Sequence, residues 1–260
     1  LYRNIILQKA DSIATIILNR PEAMNAMNLE MFEELESAQK DIVMDKDVRA
    51  VVITGKGKAF SSGADFELVS YLLTLTSERF KETLRYLQRV VTMVEEMDKP
   101  VIAAINGYAL GGGLDLALAC DLRLAVSHAK LSEHYVKVGI IPDLGGTQRL
   151  PRLIGLSKAK EMIFFGDMVD AEYAERIGLV DRVLSEDDFV AKTYSTAARL
   201  ASGPSVAIGL AKKALHAGYE AVRSGLEHEV HGQEICMRTA DVKEGISAFH
   251  AKRGPIFSGK

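Results

Sequence analysis

Three short apolar runs limit what this chain can become. AVVITG at 50–55, PVIAAING at 100–107 and DLRLAV at 121–126 read as strands buried on both faces. The first two end in glycine and pass into the glycine-bearing turns GKGKAFSSGAD and YALGGG. The apolar helix LDLALAC follows the second turn. The segment 77–97 is the clearest helix, with Phe80, Leu84, Leu87, Val91 and Val94 at steps of four and three. Strand, glycine-rich turn, helix and strand in alternation predict an α/β fold with a largely parallel sheet and helices outside it.

The flanks are read the same way. NIILQ and SIATIILN predict an opening hairpin, and Asn28 an N-cap ahead of a helix with Leu29, Phe32, Leu35 and Ile42 on its apolar side. From Ser157 onward the chain reads as helices separated by Gly166, Gly178 and Gly203-Pro204, with a short strand near LVDRVL.

Composition excludes several classes of function. A net charge of −3 without a long run of one sign disfavours a nucleic-acid or membrane surface. The longest apolar stretch, PVIAAINGYALGGGLDLALAC, is broken by Asn106, Asp115 and glycines and makes a poor membrane span. Cys120 and Cys236 cannot form a disulfide framework and read as reduced thiols. The expected compartment is the cytoplasm, or the mitochondrion if a targeting segment preceded Leu1.

Gly111 to Gly113 stand between a strand and a helix, where free helix-start amides can hold an anion or a developing oxyanion. The alternative is a tight turn that only glycine fits. SSGAD at 61–65 is a second such turn, and the two together suggest a pair of amide donors. Asp115 follows GGG and reads either as dipole stabilisation of a helix start or as an acid. Asp143, in GIIPDLGG, reads either as a cap for a helix starting near Leu144 or as a proton-moving carboxylate. His228 and His231 lack the HExxH spacing of a metal site, and no GxSxG elbow is present.

Taken in order, NRPEAMNAM, SSGAD, PVIAAINGYALGGGLDLALACDLRLA, VGIIPDLGGTQRLPRLIG and EGISAFHAKRGPIF resemble the crotonase (enoyl-CoA hydratase/isomerase) superfamily over the whole chain. The resemblance implies a spiral of ββα units over residues 1–200 that binds acyl-CoA. It also implies a C-terminal helical region, 201–260, that helps form a homotrimer or a hexamer made of two trimers. The implied partner is an acyl-CoA thioester, with coenzyme A as part of the substrate and no separate cofactor or metal. The implied oxyanion-hole amides are those of Ala64 and Gly112. Ala23, Met24, Ser62, Gly63, Asp65, Phe66 and Gly111 would line the coenzyme A and substrate site, and Lys252, with Arg253, would meet its phosphates.

The acids depart from the hydratase pattern of two glutamates. Asp115 stands at the first position and Tyr135 at the second, and a phenol is a poor general base near neutrality. Glu133 lies two residues away, roughly 7 Å along an extended chain, and is assigned no role. Asp143 occupies a position where isomerases of the superfamily carry an aspartate. Asp143, Asp115 and Tyr135 are therefore the expected catalytic residues. Double-bond isomerisation ranks above hydration of a 2-enoyl-CoA, and both rank above acyl-CoA binding without turnover. The region 66–90, with Leu68, Tyr71, Leu72 and Leu73, is expected to wall the acyl pocket.

Overall fold

The computed structural model describes the backbone of residues 2–217 and 220–256, and side chains there except those of 217, 220–225 and 228. It opens with the expected hairpin, β1 (Ile5–Ala10) and β2 (Ile13–Leu18), followed by α1 (Leu29–Met44). Asn28 caps α1 by accepting from the Met31 N–H at 2.9 Å, and Phe32, Leu35 and Ile42 face inward.

Three successive units then place one strand in each of two sheets. They are β3 (Ala50–Gly55) with β4 (Ala59–Ser61), β5 (Val101–Ile105) with β6 (Tyr108–Leu110), and β7 (Leu122–Val126) with β8 (Lys130–Ser132). Between them lie α2 (Phe66–Thr74), α3 (Ser77–Glu96) and the short α4 (Gly112–Leu118). After β8, a 3-10 turn, His134–Val138, leads to α5 (Gly146–Phe165), β9 (Val169–Asp170), α6 (Ala171–Arg176) and β10 (Arg182–Leu184). The chain closes with α7 (Glu186–Ser202), α8 (Ser205–Ala217), α9 (Glu220–Cys236) and α10 (Ala240–His250).

The larger sheet has the order β1-β2-β3-β5-β7-β10, parallel except for the opening hairpin. The smaller has the order β4-β6-β8-β9, with only the β8–β9 pair antiparallel. This is the expected spiral of ββα units. Strands β3 and β5 are buried almost throughout, as parallel strands covered on both faces must be, which explains their unbroken apolar sequence. Phe80, Leu84, Leu87, Val91 and Val94 of α3 all face the core. Among the described residues no helix is long and apolar enough to cross a membrane.

Candidate active site

Two glycine turns from neighbouring strands of the small sheet pack directly on each other. A Cβ on Gly113 would sit 2.3 Å from the Ser61 carbonyl oxygen, closer than real Cβ contacts allow, so α4 can approach β4 only through glycine. Gly63 has φ +96°, and a Cβ there would meet the Leu110 carbonyl oxygen at 2.8 Å and the Gly112 nitrogen at 3.2 Å. The turns at 61–65 and 111–113 thus form one ledge. Gly112 is the first residue of α4, so its N–H has no acceptor inside the helix. The amides flanking Ala64 bridge to Met27, and among the described residues neither the Ala64 nor the Gly112 N–H has a hydrogen-bond partner. The ledge therefore presents two free donors.

The other expected binding residues surround this ledge. The short turn containing Ala23 and Met24 is tied to it by the Ser62 N–H donating to the Met24 carbonyl at 3.0 Å. Asp65 caps α2 through the Glu67 N–H and pairs with Arg20 at 2.6 Å, so its carboxylate has structural work of its own. Phe66 packs on Phe249 and His250, each with ring centroids at 4.8 Å, which brings the end of α10 to the start of α2. Lys252 follows on that exposed turn; Arg253 is committed to an ion pair with Glu244 at 2.6 Å.

Beside the ledge lies a cavity walled by Ala64, Leu68, Leu72, Leu87, Ile140 and Leu144 and floored by Tyr135, Asp143 and Gln233. Leu68 and Leu72 are where the sequence placed a pocket wall, but Tyr71 of the same helix points outward, 45 % exposed. A larger surface groove of about 450 Å³ runs past Gln8, Thr15 and Tyr194, and its described lining residues include none of the ledge or of the expected acids.

Asp143 is 9 % exposed and does not cap a helix: Gly145 stands at the start of α5 without a side-chain cap. Its Oδ2 instead accepts from the Gln233 Nε2 at 2.8 Å. Burial, then the charge of Asp115, raise its pKa to about 7, against smaller lowering by the Gln233 and Tyr135 hydrogen bonds. Asp115 lies behind it, fully buried, and its Oδ2 accepts from the Tyr135 hydroxyl at 2.6 Å. Burial raises Asp115 to about 6, while Tyr135 and Arg149 pull it back. The phenol of Tyr135, buried next to anionic groups, is pushed well above its ordinary pKa and remains a donor. The three expected acids thus form one chain, with Asp143 and Tyr135 at the cavity and Asp115 screened by the phenol.

The loop holding Asp143 is fastened through its backbone. Gln88 of α3 donates to the Asp143 carbonyl at 2.8 Å, Arg149 to the Leu144 carbonyl at 2.9 Å, and Glu229 of α9 accepts from the Gly145 N–H at 3.0 Å. Sequence reasoning missed Gln88, Glu229 and Gln233. The last two are four residues apart in LEHEVHGQE, on one helix face, a spacing obscured by interest in the histidines. His231 only bonds the Glu227 carbonyl on its own helix, and the side chain of His228 lies outside the described residues. Gln88 and Arg149 lie within the 1–200 segment, and Glu229 and Gln233 come from the 201–260 segment.

Glu133 lies closer to the site than an extended chain would place it, because its carboxyl converges with that of Asp115 on Gly146. The chain turns at His134 into the 3-10 segment, so an extended-strand offset does not apply. The Glu133 side chain is fully buried, and among the described residues neither carboxylate oxygen has a partner.

The chain matches the family model described as enoyl-CoA hydratase/isomerase over residues 8–260. It is 39 % identical to a crotonyl-CoA hydratase of Syntrophomonas wolfei, across 100 % of this chain and 99 % of that one. A short-chain-enoyl-CoA hydratase of Clostridium acetobutylicum is 37 % identical, over 96 % and 95 % of the two chains. Among solved structures, an enoyl-CoA hydratase from Bacillus anthracis superposes with a TM-score of 0.79 at 38 % identity, covering 99 % of this chain and 100 % of that one.

Proposed function

Because the chain belongs to the enoyl-CoA hydratase/isomerase family, we propose that this acyl-CoA-processing enzyme moves a double bond along the acyl chain of an enoyl-CoA or dienoyl-CoA thioester. The free N–H groups of Ala64 and Gly112 would form the oxyanion hole, holding the thioester oxygen as negative charge develops on it. Asp143 would take the α- or γ-proton and return it at the other carbon, moving the double bond between them. A pKa of about 7 suits a base that must both accept and release a proton near neutrality.

One observation carries this reading. Of the described residues lining the cavity beside Ala64, only Asp143 bears a carboxylate. One shuttle suffices for isomerisation, whereas adding water requires a second group to activate or deliver. The hydratase reading rests on the names of the relatives and on the Tyr135–Asp115 pair, which could act as that second group. Assays with 3-enoyl-CoA and 2-enoyl-CoA thioesters, followed by NMR, separate the two. Migration without a 3-hydroxyacyl product supports the isomerase; rapid formation of that product from the 2-enoyl thioester replaces it with the hydratase. In either case Asp143→Asn is expected to lower kcat by about 10²–10⁴-fold while ligand binding persists. Full turnover by that variant would refute the role of Asp143.

A further inference from the structure

Glu133 is a fully buried carboxyl group whose two oxygens meet no donor among the described residues. Desolvating an ionised carboxylate with no compensating hydrogen bond is very costly, and the usual outcome is that it binds a proton. Its neighbours strengthen that outcome. A Cβ built on Gly146 would lie 2.4 Å from Asp115 Oδ1 and 3.1 Å from Glu133 Oε1, so the two carboxyl groups converge on the same small space. Asp115 Oδ1 also has no partner among the described residues. The charged groups acting on Glu133 from the surrounding elements are Asp115 of α4, Asp143 of the loop before α5 and Glu229 of α9, all acidic. The nearby cation, Arg149, acts on Asp115 and Glu229 and is bound to Glu95 and the Leu144 carbonyl.

We propose that Glu133 is a carboxylic acid in the resting protein and shares its proton with Asp115, so that the pair behind Tyr135 stores one exchangeable proton. Tyr135 connects this store to the cavity, because its hydroxyl donates to Asp115 and its ring lines the same cavity as Asp143. The use of the store in turnover rests on the reading of Asp143 as the base. When Asp143 takes the acyl proton, the C–H electron pair passes into the thioester enolate. Asp143 returns that proton at the far carbon, so the stored proton stays with Glu133 and Asp115 throughout and total charge is conserved. The stored proton keeps one negative charge rather than two behind Tyr135 while Asp143 cycles between its two forms. Glu133 is thus a proton-holding residue that never touches the substrate.

The test begins with the protein alone. Infrared spectra at pH 9, above the ranges of Asp143 (about 7) and Glu229 (about 8), are compared for the wild type and Glu133→Gln. A carbonyl stretch of a protonated carboxylic acid that E133Q abolishes is the expected result. Its absence from the wild type, or its persistence in E133Q, overturns the proposal. Should E133Q fail to fold, Tyr135→Phe provides the same decision. Removing the donor to Asp115 should raise the pH at which the acid band titrates, and an unmoved titration overturns the coupling. The kcat/KM profile then reads the charge behind Tyr135. Because E133Q replaces one neutral group by another, the acid limb set by Asp143 near 7 should stay in place. A limb that moves down in E133Q would show that Glu133 is ionised in the wild type and would overturn the stored proton. An E133Q-sensitive band in a protein whose D143N variant remains active would instead discard the role of Asp143 and retain the stored proton.

Discussion

Gln233→Leu isolates the contribution of α9 to the chemistry. Gln233 donates to Asp143 Oδ2 at 2.8 Å and accepts from the Ile141 N–H at 3.2 Å. A hydrogen bond to a charged group contributes about 1.5–3 kcal/mol, and 1.36 kcal/mol corresponds to one pH unit. Losing it favours protonated Asp143, so the acid limb of the kcat/KM profile should move up by about 1–2 pH units from near 7. At pH 7 the ionised fraction then falls from about one half to between about 10 % and 1 %, a loss of roughly 5–50-fold that recovers as the pH rises toward 9–10. The same variant strands the Ile141 N–H, which should cost about 1–3 kcal/mol of stability. A pH series of initial rates, with ligand-binding measurements and urea unfolding of both proteins, checks both effects. An unmoved limb, or a loss equal at every pH, would show that Gln233 does not set the basicity of Asp143.

Gly113→Ala should push α4 away from Ser61 and spread the two free amides, costing about 1–3 kcal/mol of stability and most of the turnover; unfolding midpoints and kcat/KM report the two. Asp115, Asp143 and Glu229, raised to about 6, 7 and 8, hold protons in the folded state that the unfolded chain has released. Their folded forms bind more protons than the unfolded chain from about pH 4 upward, so stability should fall as pH rises through 6–8. Thermal unfolding across that window tests this, and a midpoint that climbs with pH would contradict it. Asn28→Ala removes the cap of α1 and should cost about 0.5–2 kcal/mol with no change in kcat, as urea unfolding and steady-state rates would show.

Much of the frame was legible because the main strands are long enough to show a buried pattern. AVVITG coincides with β3, and the α3 periodicity reports its inward face correctly. The smaller sheet was not legible: β4, β6 and β8 have three residues each, too few for any period, and only the packed glycines betray them. Helix α5 begins at Gly146, eleven residues before the helical reading at Ser157, and runs past Pro151 and the non-helical Gly155. At the site, GGG, SSGAD and Asp143 stood out because glycines and a lone carboxylate among apolar residues are locally anomalous. Gln233 is 90 residues from Asp143 and looks like any polar residue of a helix surface. The position of Glu133 was not legible because the extended spacing of roughly 7 Å over two residues does not hold where the chain coils at His134.

The mounting of residue 143 has a consequence for how such proteins diversify. Gln88, Arg149 and Glu229 grip only main-chain atoms between Asp143 and Gly145. They form a socket indifferent to the side chain it carries. A lineage can exchange the working group there, or retire it, without rebuilding its support, so altered reactivity at this spot need not await a rearranged scaffold.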